Sequence, residues 1–261
     1  MVEATVKDVW FKYPGAKDFV LQSFNWTNKK PRAIGLLGIN GCGKTTFMKL
    51  LAGILKPTRG EIRINGKLIK NVNSTKNFVG FVPENAKLFL VGPTIRKDLL
   101  RIIKDDNLVD SLLDEFKFAP LTNKKLYHLS EGQRRLFAIF SAFHLPRKIL
   151  FFDEPTIGLD TRGRELFSHL IQKSTDEGKM IFIATNDPRI LPYLDHLLVI
   201  REGASFMEGP PKEVLYRLEK ETELVPNQIV RLITGLREKY ENLPPIVSVK
   251  EFNEVIFRRE Q

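Results

Sequence analysis

The sequence predicts an α/β fold, and three features of the chain point to it. Continuous apolar runs at residues 33–37, 149–152 and 180–184 are typical of parallel strands that are buried on both faces. Residues 164–174, between the last two runs, have the composition of a crossover helix. A glycine-rich turn follows the first run and leads into a helix that we expect to begin near Thr45. With 261 residues, 43% of them hydrophobic, the chain can form one large domain with a small appendage.

The segments around these central strands predict two smaller structural units. Residues 2–10 and 19–27 have strand character and are separated by a Tyr-Pro-Gly turn, which indicates an antiparallel β start. A further short strand is expected at residues 61–65. Residues 93–145 show helical spacing of apolar residues, for example at Leu108, Leu112, Leu113 and Phe116, and predict an inserted helical subdomain.

The C-terminal part of the chain differs in composition from the rest. Beyond residue 208 the sequence becomes charged and helical, and prolines at positions 226, 244 and 245 separate two or three short helices. We therefore divide the chain into a main domain at residues 1–208 and an appended helical region at residues 209–261.

Composition limits the classes of protein that fit this chain. The only cysteine, Cys42, excludes an internal disulfide framework, and no apolar run is long enough to span a bilayer. The N-terminus resembles neither a signal peptide nor a transit peptide. A net charge of +10 fits a nucleic-acid partner, an anionic membrane surface or a lysine-rich solvated surface. Because the basic residues are scattered along the chain, we expect no nucleic-acid partner.

Residues 38–45 match the phosphate-loop pattern G-x-x-x-x-G-K-[ST] in full. Glycines let successive backbone N–H groups point into one hollow, and the following helix adds its positive end. The alternative is a turn that merely connects strand and helix, which the Lys-Thr pair makes the weaker reading. The pattern predicts that Lys44 reaches the β- and γ-phosphates of ATP and that Thr45 ligates Mg²⁺. The predicted nucleotide-binding residues of this loop are Gly38, Asn40, Gly41, Cys42, Gly43, Lys44, Thr45 and Thr46.

Two carboxylates close the apolar run at residues 149–152. Asp153 and Glu154 are expected at the carboxyl edge of the sheet, where open α/β sheets bind their ligands. Asp153 is predicted to hold Mg²⁺, and Glu154 to orient or deprotonate the attacking water. Acids are common at strand ends, so this prediction depends on the phosphate loop in the same chain.

Between these two motifs the sequence Leu-Ser-Glu-Gly-Gln at residues 129–133 resembles the LSGGQ signature of the ATP-binding-cassette (ABC) family, with Glu131 as its one departure. The same residues also form an ordinary helix-capping box, and both interpretations can hold together. The resemblance implies a RecA-like core with antiparallel β and helical signature subdomains. It also implies that Tyr13 stacks on adenine. The residues implied to act in trans, on a nucleotide bound by a second subunit, are Ser130, Glu131, Gly132, Gln133 and Asp160.

Two positions depart from the pattern of this family. Glu84 stands where the family usually carries a Gln in the Q-loop, and Asn186 stands where it carries the switch His. A neutral amide cannot exchange a proton near neutral pH as imidazole does. Glu84 can still ligate Mg²⁺, but it adds negative charge beside a triphosphate. We therefore predict that this chain binds ATP at its own loop and hydrolyses it slowly.

The C-terminal residues 225–232, 236–237, 243–245 and 247–252 resemble the tail of the cobalt and energy-coupling-factor (ECF) ATPases, which drive uptake of vitamins or metal ions. Residues 83–89 resemble, in degenerate form, the segment with which those ATPases grip their transmembrane partner. The resemblance implies that residues 209–261 form a helical dimerisation region, and a generic helical cap is the alternative for the tail.

The ECF resemblance implies several partners and a location. They are a second ATPase, with a heterodimer favoured, a transmembrane coupling subunit and a substrate-binding membrane subunit. The chain would lie peripherally on the cytoplasmic face of the cell membrane. An ATPase of another ABC importer or exporter, and a slowly hydrolysing nucleotide sensor, are the alternative functions.

Overall fold

The computed structural model of the chain describes residues 3–30, 32–219, 228–237 and 243–257. Within those residues the chain forms ten strands and eight α-helices, which confirms the α/β prediction. The strands are β1 (Ala4–Phe11), β2 (Leu21–Asn28), β3 (Ala33–Leu37), β4 (Arg59–Ile64), β5 (Lys67–Leu68), β6 (Val79–Val82), β7 (Ile149–Asp153), β8 (Met180–Ala184), β9 (His196–Arg201) and β10 (Ala204–Gly209). The helices are α1 (Lys44–Leu51), α2 (Ile95–Ile103), α3 (Asp106–Glu115), α4 (Glu131–Phe143), α5 (Thr161–Asp176), α6 (Pro211–Leu218), α7 (Gln228–Arg237) and α8 (Val249–Phe257).

A six-stranded sheet forms the centre of the molecule, with strand order β10-β9-β3-β8-β7-β6. Strands β9, β3, β8, β7 and β6 run parallel to one another, and β10 pairs with β9 in antiparallel fashion. The three predicted apolar strands, β3, β7 and β8, are buried at every residue. The carboxyl ends of the five parallel strands therefore meet at one edge of the sheet, where we expect a ligand.

The two faces of this sheet contribute to two separate hydrophobic cores. On one face Phe151 and Phe182 pack with helix α1 and the strands of the N-terminal sheet. On the other face Phe152 and Ile183 pack with helices α2 to α6. The alternation of neighbouring residues between the two cores explains why each central strand is apolar without a break.

The N-terminal strands form a four-stranded antiparallel sheet with the order β2-β1-β4-β5, which confirms the predicted antiparallel β start. The predicted strand at residues 61–65 begins earlier than expected, at Arg59. The pairing of β1 with β4 is interrupted by a bulge around Asp8, whose φ is 44°. A Cβ at Gly60 would lie 2.1 Å from the carbonyl oxygen of Asp8, so only glycine fits opposite this bulge.

The inserted helical subdomain contains α2, α3 and α4. In α3 the buried residues are Val109, Leu112 and Leu113, whereas Leu108, which the spacing placed on the same face, is 48% exposed. The side chain of Asp105 caps this helix by accepting from the backbone N–H of Leu108. Leu108 thus lies in the first turn of α3, as its spacing predicts for a helix, but does not contribute to the buried face.

The C-terminal helices pack partly on the main domain and partly on each other. Helix α6 buries Val214, Leu215 and Leu218 in the main core. A small separate cluster contains Ile233 of α7 together with Leu243 and Ile246. Part of the tail motif, at residues 225–227, lies outside the described residues. Among the helices that the structure describes, none combines the length and apolar character needed to cross a bilayer.

Candidate functional site

The phosphate loop connects β3 to helix α1, and its glycines adopt backbone angles that other residues rarely take. Gly38, Gly41 and Gly43 have φ values of 151°, 86° and 111°. A Cβ at Gly43 would lie 2.6 Å from Leu21 Cδ2. Lys44 Nζ donates to the carbonyl oxygen of Gly38 at 2.7 Å, which places its ammonium over the loop. The loop and the start of α1 therefore combine backbone donors with a positive charge, as phosphate binding requires.

Cys42 lies below this loop and not on its open side. Its side chain is buried, and a Cβ at Gly38 would approach Cys42 Sγ to 2.4 Å. Burial raises the pKa of the Cys42 thiol, and the nearby charge of Lys44 opposes that rise. Cys42 thus packs inside the loop as a small buried side chain.

Asp153, the last residue of β7, meets the first turn of α1. Thr45 Oγ1 donates to both carboxylate oxygens of Asp153, at 2.8 and 3.0 Å. Burial raises the pKa of Asp153, the hydrogen bond from Thr45 opposes the rise, and the charge of Glu84 adds to it. Hydroxyl and carboxylate oxygens are the donors that Mg²⁺ prefers.

The remaining ligands of such an ion would come from elsewhere. Within residues 3–30 and 32–219 and the two described tail segments, no group of three or more His, Cys, Asp or Glu side chains gathers to hold a metal. Mg²⁺ normally keeps several waters and binds through one or two carboxylates together with substrate phosphates. Thr45, Asp153 and Glu84 therefore fit a magnesium site completed by nucleotide and water.

Glu154 follows Asp153 in a left-handed backbone conformation, with φ of 46°. Its N–H donates to the carbonyl oxygen of Ala184 at 2.8 Å, and its own carbonyl accepts from Arg135 Nη1 at 2.8 Å. Burial raises the pKa of the Glu154 carboxyl, while the charge of Lys44 and a hydrogen bond from Thr185 oppose that rise. A carboxyl with a raised pKa beside a phosphate site is suited to accept a proton from water.

Glu84 and Asn186, the two departures from the family pattern, lie at the same cleft. Glu84 follows β6, and Asn186 follows β8, so both lie at the carboxyl edge of the sheet. Asn186 Nδ2 donates to Asn40 Oδ1 at 3.4 Å, which joins this position to the phosphate loop. At this position the side chain is therefore an amide, which does not exchange a proton near neutral pH as an imidazole does.

These groups surround a cleft of about 590 Å³. Tyr13 forms one wall, and its hydroxyl is 3.0 Å from Thr46 Oγ1. Two predicted residues, Gly38 and Cys42, do not line the cleft, because they support the loop from beneath. The residues lining it are Tyr13, Val20, Asn40, Gly41, Gly43, Lys44, Thr45, Thr46, Glu84, Asp153, Glu154, Ile157 and Asn186.

Val20, Ile157 and Thr185 were not identified from the sequence. Val20 and Ile157 are apolar loop residues and carried no signal for a site. Thr185 directly follows β8, so the rule that located Glu154 at a strand end would also have found it.

The predicted signature residues do not line the cleft of their own chain. Ser130 caps α4 by accepting from the Gln133 N–H at 3.2 Å, and Gln133 Oε1 accepts from the Ser130 N–H at 3.1 Å. Both expected bonds of the capping box are therefore present. The Glu131 side chain is 79% exposed, and Asp160 caps helix α5 through the Gly163 N–H at 2.7 Å. Ser130 and its neighbours are thus open to a second molecule.

Comparison with known proteins gives several matches of consistent type. A sequence model of the family described as ABC transporter matches residues 21–157. The chain is 33% identical to the Energy-coupling factor transporter ATP-binding protein EcfA of Methanocaldococcus jannaschii, over 91% of this chain and 90% of that protein. It is 26% identical to EcfA1 of Geobacillus kaustophilus, over 90% and 89% of the two chains.

Solved structures agree with these sequence matches. The structure of cbiO1 from Clostridium perfringens, described as part of the ABC transporter complex cbiONQ, aligns with a TM-score of 0.68 and 27% identity. The alignment covers 84% of this chain and 95% of cbiO1. A dimeric ATP-binding cassette bound to ADP and Pi shares the fold, with a TM-score of 0.69 at 22% identity over 80% of this chain and 98% of that one.

Proposed function

The chain belongs to the ABC transporter family and is an ATPase, and we propose that it drives an energy-coupling-factor transporter for a vitamin or a metal ion. The extent of the similarity to EcfA carries this proposal. A match over 91% of the chain cannot be contained in residues 1–208, so it includes part of the C-terminal helices. An ATPase of another ABC importer or exporter would share the cleft without that tail.

The residues of the cleft divide the work of binding and hydrolysis. Lys44 and the N–H groups of the loop hold the phosphates of ATP, and Tyr13 packs on its adenine. Thr45 and Asp153 would hold Mg²⁺, which when bound shields the negative charge of the phosphates. Glu154 orients the attacking water and accepts its proton. Phosphoryl transfer requires this positioning and charge compensation more than covalent chemistry.

We infer that this chain's own site turns over slowly. Glu84 adds a negative charge next to Asp153, where the family's neutral Gln would add none. Asn186 reaches the phosphate loop through Asn40 but cannot exchange a proton near neutral pH. Both substitutions weaken stabilisation of the transition state and leave the phosphate loop intact.

The placement of the signature supports the proposal of a second ATPase subunit. Ser130 and Gln133 lie at an open helix start outside their own cleft, where they can meet a nucleotide held by another chain. Asp160 would accompany them. With these groups in place, the chain can complete a fast site on a partner that carries both Gln and His, and a heterodimer of unequal sites results.

The surface around residues 83–89 is the proposed contact with a transmembrane coupling subunit. Leu88 and Tyr127 are 75% and 67% exposed, and Tyr127 lines a groove of about 520 Å³. Lys87 and Arg134 line that groove. Exposed apolar groups of this kind are typical of interaction sites. The chain would thus sit on the cytoplasmic face of the membrane, while a separate membrane subunit binds the transported substrate.

The test is steady-state ATPase activity of the chain alone and mixed with a candidate partner ATPase from the same operon. Little activity alone, high activity in the mixture and a modest loss on Glu154→Gln support an unequal heterodimer. Rapid turnover by the chain alone that Glu154→Gln abolishes would contradict a slow own site. Activity that stays negligible in every mixture, with ATP still bound, would favour a nucleotide sensor.

A second experiment introduces an imidazole at position 186, where the family carries the switch His. Asn186→His should raise turnover at the chain's own site about tenfold, equivalent to about 1.4 kcal/mol of barrier. Asn186→Gln keeps an amide and serves as the matched control. Equal rates for the two variants would show that the amide is no handicap.

A further inference from the structure

A buried arginine on the signature helix contacts the backbone of the proposed catalytic carboxylate. Arg135 is 5% exposed, and its Nη1 donates to the Glu154 carbonyl oxygen at 2.8 Å. Its Nη2 lies 3.6 Å from Glu131 Oε1, one helical turn earlier. Burying a guanidinium is costly unless its donors find acceptors, so these contacts define where the side chain points.

The contact falls on a strained peptide. A left-handed conformation is unfavourable for a residue with a side chain, and Glu154 adopts it with φ of 46°. Such a conformation persists when the surroundings hold it from more than one side. At Glu154 the hydrogen bond from its N–H to Ala184 holds the amino side, and Arg135 holds the carbonyl side.

One hydrogen-bond donor of the Arg135 guanidinium has no partner in the described part of the chain. Arg135 Nε is buried and has no hydrogen-bond partner among the described residues. A buried donor without a partner carries a free-energy penalty and calls for an explanation. If Arg135 served stability alone, we would expect its Nε–H to find an acceptor. Instead the side chain is oriented by the contacts of Nη1 with Glu154 and of Nη2 with Glu131.

We propose that Arg135 is a positioning residue for hydrolysis, which holds the Glu154 peptide so that the carboxylate faces the cleft. Because Arg135 projects from α4, it also ties the carboxylate of the chain's own site to the segment that meets a partner's nucleotide. The proposal rests on the proposed role of Glu154 as the base. The Glu131 contact is subordinate, since an ion pair with a largely exposed partner contributes little.

The test compares Arg135→Met, which removes the donors, with Arg135→Lys, which retains one. In the chain assayed alone, where turnover comes from its own site, we expect Arg135→Met to lower kcat about 10- to 100-fold, as misplacement of a reacting group does, with KM for ATP within about twofold of the parent. Arg135→Lys should recover part of the loss. Arg147→Met is the matched control, because Arg147 also donates to a carbonyl, that of Asn77 at 3.0 Å, near the opposite end of β7.

A crystal structure of each variant supplies a readout independent of activity. We expect the Glu154 backbone to leave the left-handed region in Arg135→Met and to keep it in Arg135→Lys. Unchanged kcat in Arg135→Met, or a Glu154 peptide and carboxylate that stay in place in its structure, would overturn the proposal. If Arg135→Met does not fold, the Arg135→Lys variant decides the question. A structure in which the Lys Nζ no longer contacts the Glu154 carbonyl, together with an unchanged kcat, would also overturn the proposal.

The Glu154→Gln variant distinguishes failure of Glu154 as the base from failure of Arg135 as its positioning residue. Full activity of Glu154→Gln would remove the proposed base, and the structures would still decide whether Arg135 sets the peptide. Loss of activity in Glu154→Gln with none in Arg135→Met would leave the base in place and reject the role of Arg135.

Discussion

At the scale of single residues, Thr45 joins two parts of the site that are distant in the chain. Its hydroxyl connects the first turn of α1 to Asp153 at the end of β7, although strand β8 separates β3 from β7 in the sheet. The same hydroxyl is the oxygen that would face Mg²⁺. One side chain therefore fixes the spacing between the phosphate loop and the acidic strand end.

Thr45→Val should weaken binding of MgATP about tenfold or more. The variant removes a hydrogen bond to a charged group, worth about 1.5–3 kcal/mol, and one magnesium ligand. Fluorescent-nucleotide titration with Mg²⁺ and with EDTA measures both effects. Binding in EDTA should change only a few-fold, because the loop N–H groups and Lys44 remain. Equal losses under the two conditions would contradict a role in holding the ion.

At the scale of elements, the start of α4 depends on a close approach between the signature and the loop that precedes α5. A Cβ at Gly132 would lie 2.7 Å from the carbonyl oxygen of Gly158. Because that neighbour is backbone, it cannot yield as a flexible side chain would. The two segments proposed to meet a partner's nucleotide are therefore packed as one unit.

Gly132→Ala should reduce ATPase activity of the assembled ATPase pair while ATP binding to the isolated chain stays unchanged. The added methyl group displaces the α4 start from the Gly158 loop, but it touches no residue of the chain's own cleft. Nucleotide titration and ATPase assays measure the two quantities. Gly235→Ala, in open space on α7, is the control and should stabilise the chain by about 0.5–1 kcal/mol. Loss of ATP binding in Gly132→Ala would contradict the conclusion that the signature acts apart from the chain's own nucleotide cleft.

Helix α4 ends at a histidine that makes stability depend on pH. His144 Nδ1–H donates to the Phe140 carbonyl at 2.8 Å, and its ring packs on Phe116 and Phe140. Burial lowers the pKa of His144 below its ordinary 6.5, the hydrogen bond opposes this, and the charges of Lys179 and Lys173 reinforce it. The folded chain therefore takes up this proton at lower pH than the unfolded chain does.

Between about pH 6.5 and the lower folded pKa, acidification binds a proton to the unfolded chain first and so destabilises the fold. His144→Gln should reduce the loss of unfolding free energy between pH about 7.5 and about 5.5, by at most about 1.4 kcal/mol per pH unit. Chemical unfolding of variant and parent at both values measures the difference. A pH dependence that is the same in both proteins would refute the assignment.

Local patterns and tertiary contacts were not equally predictable from the sequence. The central strands could be located because residues buried on both faces leave an unbroken apolar run, and Thr45 and Asp153 because their motifs lie at strand ends. Arg135 could not be assigned, since its acceptor at Glu154 is brought near only when α4 packs on the sheet edge. The helical spacing located α3, but the exposure of Leu108 could not be predicted, because spacing alone does not show which face the neighbouring elements cover.

At the scale of the whole molecule, the C-terminal region is continuous with the main core. Val214, Leu215 and Leu218 of α6 lie in the same hydrophobic cluster as the central strands, and so do Val230 and Val247. The Tyr216 hydroxyl donates to the Ile246 carbonyl at 3.0 Å and accepts from the Ile246 N–H at 2.9 Å. The proposed dimerisation region is thereby anchored to the ATPase domain through α6.

A chain ending at Glu219 should remain folded, whereas a chain ending at Gly209 should lose several kcal/mol more. The shorter chain exposes the sites of three buried aliphatic side chains, each worth about 1.5–3 kcal/mol. Urea unfolding measures the stabilities. Sedimentation with ATP should show weaker association for the chain ending at Glu219, because it lacks α7 and α8. Undiminished association would argue against a dimerisation role for the tail.

The burial of Cys42 makes the chain a convenient background for site-directed labelling. Alkylating reagents attack the thiolate, and Cys42 combines a buried sulfur with a raised pKa, so it should react slowly. Cysteines introduced at exposed positions such as Leu88 or Val249 would then take a maleimide dye selectively without removal of the native residue. Energy transfer between dyes on two subunits could follow their closure around nucleotide in a protein whose phosphate loop is unaltered.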